Sequence, residues 1–147
     1  MKWLQTDRID VDVTLRVNRI QNGNKQLDHI KTVGQLHEKN QSLYLHYEEE
    51  LEEVGKVRTL IKVTDADVTI IRQGAVQMRQ PFLLHKTTSG TYHSPFGLLE
   101  METTTNELQF EWSKEKQSGQ LILSYQLLLQ GEDGGEHELT IYVEEAK

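Results

Sequence analysis

The sequence predicts an all-β protein, an antiparallel meander closed into a barrel of about eight to ten strands. Three observations predict it. Apolar and polar side chains alternate residue by residue through most of the chain. Turn-forming residues interrupt that alternation about every 8 to 15 residues, the spacing of a barrel or sandwich. No segment carries a convincing 3.6-residue period,. A two-sheet sandwich is the competing architecture, but closure removes the exposed strand edges that invite aggregation.

The first strand, 8–21, carries Ile9, Val11, Val13, Leu15 and Val17 on one side and Asp10, Asp12, Thr14, Arg16 and Asn18 on the other. Successive strand side chains point to opposite faces, so one face is buried and the other wet. Asn22-Gly23-Asn24 turns the chain towards a second strand at 28–38, and Lys39-Asn40-Gln41 towards a third at 42–50 with Leu43, Leu45 and Tyr47 inward. Glu48 to Val54 has helix-forming composition, yet it continues that alternation and reads as a strand running into the turn Glu53-Val54-Gly55. Strands at 56–64 and 67–72 follow, separated by Asp65-Ala66, with Val57, Thr59, Ile61, Val63, Val68 and Ile70 inward. After Gln73-Gly74 comes 75–84, then Ser89-Gly90 as a turn, then 91–95 and 97–104. Thr105-Asn106 turns into 107–113, Ser118-Gly119 into 119–131, and Glu132-Asp133-Gly134-Gly135 into 137–145. Pro81 and Pro95 fall at a strand end and a corner, where a missing backbone donor is tolerated,.

A chain of 147 residues is one domain, residues 1–147, long enough to bury roughly 70% of its extended surface. Its 36% hydrophobic content fits strands that face inward at every second residue. There is no cysteine, which excludes disulfides and thiolate zinc sites,. The net charge of −7 repels phosphate backbones, and no dense Lys/Arg cluster overrides it, so nucleic acid is not an expected partner,. Met1 to Asp7 lacks an apolar leader core and no apolar run approaches the length of about 20 residues that spans a bilayer. No membrane association is expected, and the default address is the cytoplasm.

The inward list continues through Leu99, Met101, Thr103, Leu108, Phe110, Trp112, Leu121, Leu123, Tyr125, Leu127, Leu129, Leu139, Ile141 and Val143. Phe110, Trp112, Tyr47 and Tyr125 are bulky and favour a filled barrel; Thr59 and Thr103 are small and polar and favour a lined cavity,. Two charges break the inward pattern: Glu49 keeps the phase of Tyr47, and Arg72 that of Ile70. Each stands at a strand end and so looks into one mouth of the barrel. There an ion pair satisfies both, capping the barrel, or Glu49 orients Arg72 towards an anion.

Gly34, Leu45-His46-Tyr47-Glu48-Glu49, Thr59-Leu60-Ile61-Lys62-Val63, Ile71-Arg72-Gln73-Gly74, Ser94-Pro95-Phe96-Gly97, Thr103-Thr104 and Tyr125-Gln126-Leu127 are spread along almost the whole chain. Through them the chain resembles the YwiB-like family of uncharacterised bacterial proteins. The resemblance implies a calycin-like, lipocalin-type closed barrel in the bacterial cytoplasm. It implies no reaction.

Reactive constellations are thin. The six histidines, His29, His37, His46, His85, His93 and His137, include no His-x-His pair that would share a strand face, and they read as surface or turn residues,. Ser94 lies between His93 and Pro95, but adjacent strand residues face opposite ways, so His93 is poorly placed to activate it,. Neither phosphate-binding glycine motif occurs,. No enzyme activity, catalytic residue, cofactor or metal is therefore expected. Two readings stay open. One is a cytoplasmic barrel that binds a small, partly apolar or amphipathic ligand, with Tyr47, Glu49, Arg72, Thr103 and Tyr125 as its binding residues. The other is a solid-core structural module that uses its outer face for a protein partner or a homodimer. Tyr44, Tyr142, Ile122 and Leu128 fall on outward phases and would supply that face,.

Overall fold

The computed structural model describes residues 3–147. Ten strands follow one another: β1 (Arg8–Gln21), β2 (Asn24–Lys39), β3 (Ser42–Leu51), β4 (Gly55–Val63), β5 (Val68–Gly74), β6 (Gln77–Phe82), β7 (Thr87–Ser94), β8 (Gly97–Ser113), β9 (Ser118–Leu129) and β10 (Glu132–Glu145). Each pairs antiparallel with its chain neighbours, and β1 pairs with β10 from Val11 opposite Glu145 to Ile20 opposite Glu136. The meander is thus a closed barrel rather than a sandwich. Register shows why the alternation survives closure: Val13, for example, lies opposite both Thr32 and Val143, so the inward phase passes intact from strand to strand.

Several boundaries differ from the sequence reading, for one shared reason. Residues that make turns also make bulges and close approaches. The two-residue loops Asn22-Gly23 and Gln130-Gly131 have positive φ at both central positions, the geometry that matches strand twist,. β2 therefore starts at Asn24, and β10 at Glu132. The Glu132–Gly135 segment is not a turn but a bulge within β10, where the register shifts between Asp133 and Glu136,. Thr105-Asn106 is likewise a bulge, so the stretches 97–104 and 107–113 are one strand, β8. Ser89-Gly90 lies inside β7, whose preceding turn falls after Phe82. At Gly90 a side chain would strike the Gln80 amide and the Arg79 carbonyl; the glycine serves packing, not a turn,.

The core fills the lower half of the barrel, the end away from the Asn22-Gly23 turn. Leu36, Leu43, Leu45, Ile61, Leu121, Ile141 and Val143 are buried there around a void of only about 30 Å³. Beneath them the N-terminal segment forms a floor. Leu4 is fully buried, the Trp3 and Leu4 amides donate to the Glu38 carboxylate at 3.0–3.1 Å, and Trp112 donates to the Trp3 carbonyl at 2.8 Å. No alternation marked Leu4 as core, because it lies outside any strand.

Candidate functional site

The wall parts at two places. β2 and β3 pair only from Lys39 opposite Ser42 to Gly34 opposite Tyr47; above that fork, β2 from Asn24 to Val33 pairs with β1 alone. Gly34 sits at the fork, where a Cβ would collide with the His46 carbonyl. The strands diverge into a slit, and a cleft of about 780 Å³ runs along it, lined by the inward Tyr47, Glu49 and Thr59 and, for the larger part, by outward residues such as Glu48, Arg58 and Gln73. The second parting is between β6 and β7, which pair only at Gln77, Met78 and Arg79. There Gln80, fully buried, donates through Nε2 to the Pro81 carbonyl at 2.9 Å and to Thr103 Oγ1 at 3.0 Å. Thr88 Oγ1 adds a 2.6 Å bond to the same carbonyl. Side-chain polar groups thus replace the missing ladder, and the seam is shut.

Glu49 and Arg72 face each other inside the slit. Arg72 Nη2 lies 3.4 Å from Glu49 Oε1, which also accepts a 2.8 Å hydrogen bond from Thr59 Oγ1. The contact is single rather than bidentate, and each residue stands two positions short of its strand end. The Arg72 Nε is buried and has no partner among the described residues. Such an orphaned donor costs about 1–3 kcal/mol relative to a bonded one, more for a charged group. Burial holds the Tyr47 hydroxyl well above the usual phenol pKa; Glu49 adds to that and Arg72 opposes it. Burial also raises Tyr125, and Arg72 and Arg19 both pull it back. Tyr125 packs against Phe82 with ring centroids 4.8 Å apart.

Of the five residues the sequence pointed to, Tyr47, Glu49 and Arg72 gather at the slit, and Tyr125 faces Arg72 from across the barrel. Thr103 does not join them, because it is fully buried in the Gln80 seam. Three further groups line the open end. Arg19 bonds to Asp28 across the β1–β2 hairpin, and His137 stacks on Tyr125 at 5.2 Å. Arg19 extends the odd phase from Ile9 to Val17 by one more beat, and His137 precedes Leu139 by two; that signal was available in the sequence. His137 is half-buried, not a surface residue, and its pKa is lowered by burial, with the Gly134 carbonyl opposing. Outside, below the fork, His46 Nε2 contacts His37 Nδ1 at 3.2 Å, and His37 stacks on Tyr44 at 4.9 Å. Both histidines titrate below their usual 6.5, chiefly through burial, with Arg8 adding to the effect on each. Among the described residues no group of three or more His, Asp or Glu side chains is placed to hold a metal ion. Among them, too, no helix is long and apolar enough to cross a membrane.

Known proteins share this architecture. The chain is 33% identical over 137 residues to the uncharacterised β-barrel protein YwiB of Bacillus subtilis (strain 168), covering 92% of this chain and 94% of that one. The crystal structure of the Bacillus subtilis protein superposes with a TM-score of 0.87 at 28% identity, covering 97% of this chain and 95% of the other. Residues 13–141 match the family described as a domain of unknown function, DUF1934. The chain belongs to that family of uncharacterised β-barrel proteins.

Proposed function

We propose that this protein is a cytoplasmic, calycin-like barrel that binds a small, partly apolar ligand bearing an anionic group, admitted through the slit between β2 and β3 and anchored by Arg72. One observation carries the reading. Among the described residues Arg72 Nε is a buried cationic donor without a partner, and the Glu49 that it contacts lines a cleft of about 780 Å³, within the range of about 300–1,000 Å³ typical of ligand sites. Glu49, itself held by Thr59, meets the guanidinium through Nη2 alone and leaves Nε to meet an acceptor. Tyr47 and Tyr125 supply neutral aromatic surface around it, since burial keeps both phenols protonated. The ligand occupies the upper half only, because the core below is filled. Binding, not catalysis, is the proposed role, and no cofactor takes part.

Native mass spectrometry of gently purified protein, followed by thermal-shift titration with the co-purifying molecule or with a panel of carboxylates and phosphate esters, tests this. Arg72→Met is expected to keep the fold and to abolish the ligand-induced rise in Tm. A large fall in Tm with the ligand response intact would instead make the Glu49–Arg72 pair a cap on the barrel.

A further inference from the structure

The slit leaves a second feature besides its interior: the β2 edge itself. From Asn24 to Val33 this strand pairs with β1 on one side and, among the described residues, with no strand on the other. Its backbone donors and acceptors on that side form a template for another strand. Among the described residues the exposed large hydrophobics are Leu27, Ile30, Val33, Leu84, Phe96, Leu98 and Tyr142, and the first three all lie on this edge. Leu27 and Val33 point outward, 68% and 69% exposed, while Ile30 is on the inner face.

We propose that two copies of this chain pair through their β2 edges, antiparallel about a two-fold axis at Ile30, so that one sheet runs continuously from barrel to barrel. The register follows from the sequence of the edge. Residues directly opposite in an antiparallel pair share a face, so a two-fold pairing must be centred on a residue. Centred on Ile30, it places Leu27 opposite Val33, Asp28 opposite Thr32, His29 opposite Lys31, and Ile30 opposite its own copy. The paired stretch ends at Val33, immediately before the Gly34 fork where β3 takes over the edge. The neighbouring centres are worse. Centring on Asp28 sets Lys25 against Lys31, centring on His29 sets Leu27 against Lys31, and centring on Lys31 sets that lysine against itself. Like charges directly opposite destabilise a sheet, and apolar pairs stabilise it. Lysines on an edge strand also discourage indiscriminate addition, so Lys25 and Lys31 select this register rather than forbid pairing. A closed two-fold contact uses up both edges and cannot propagate. This inference uses the β2 backbone edge, the outward Leu27 and Val33 and the inward Ile30, and it makes no use of Arg72.

The sequence has no cysteine, which gives a clean background for a register test. The full-length chain is expected to sediment with the mass of two subunits, and a Leu27→Lys/Val33→Lys variant, altered only at exposed positions, to return to monomer mass with its circular dichroism unchanged. In Ile30→Cys the two thiols face each other across the axis and are expected to form an intersubunit disulfide under mild oxidation. In Lys25→Cys they lie far apart along the strand and are expected to stay free. Monomer mass at the highest soluble concentration overturns the proposal. A dimer untouched by the double lysine variant, or cross-linking at Lys25 as fast as at Ile30, overturns it equally.

Discussion

The two places where the wall parts make an instructive pair. Between β6 and β7 the ladder stops at Arg79, and a buried glutamine with two threonines and a proline carbonyl fills the breach. Between β2 and β3 it stops at Gly34, and among the described residues no side-chain hydrogen bond bridges the breach. Both need a glycine to let neighbouring groups approach, Gly90 in the first and Gly34 in the second. The difference lies in what stands opposite. Gln80 is long enough to reach across its gap, whereas the slit faces Thr32 on one edge and the Glu49–Arg72 pair on the other. A seam of similar backbone geometry is shut in one place and open in the other.

Substitutions that undermine the shut seam should cost most. Phe82 is 1% exposed and packs below Gln80 against Tyr125, and Phe82→Ala is expected to lower unfolding free energy by about 3–5 kcal/mol in urea denaturation. Gln80→Ala removes the Nε2 bonds to Thr103 and the Pro81 carbonyl and leaves Thr88 alone to serve both, and a cost of about 1–3 kcal/mol is expected from that. Thr32→Ala in the slit should stay within about 0.5 kcal/mol of the parent. A Gln80→Ala cost as small as that of Thr32→Ala would erase the contrast between the two seams.

Acid should lengthen the open seam. His37 and His46 sit below the fork, where β2 and β3 still pair, and both have lowered pKa values in the fold. A histidine whose folded pKa is depressed favours folding when neutral, so its contribution is complete above the unfolded value of 6.5 and is lost as pH falls through the folded value. Protonating both also sets like charges 3.2 Å apart. Amide hydrogen exchange at Gln35 and His46, which lie directly opposite each other across β2 and β3, is therefore expected to rise as pH drops below 6.5, after correction for intrinsic rates. His37→Gln should blunt that rise. Exchange independent of pH would disconnect the histidine stack from the slit.

Much of this was legible in the chain. The alternation from Ile9 to Val17 and from Leu121 to Leu129 marks strands and their inner faces because a pleated strand repeats every two residues, whatever lies beside it. The same phase put Glu49 and Arg72 on the inner face, and one more beat reaches Arg19. What periodicity could not carry is pairing. Gly90 and Gly135 look like turn glycines in sequence; only the strands across from them show a side-chain amide in one case and a bulge in the other. Thr103 alternates as well as Thr59 does, yet it bonds to Gln80 from a distant strand and never meets Arg72. Nor does any local pattern say that Leu4 closes the floor. The sequence by itself determined that the chain makes strands with one greasy face and that they must fold back on one another, because local sterics and side-chain polarity are properties of each residue and its near neighbours. Where the ring of strands seals and where it gapes was decided by tertiary structure, because a slit is a relation between two edges that lie apart in the chain until the barrel brings them together.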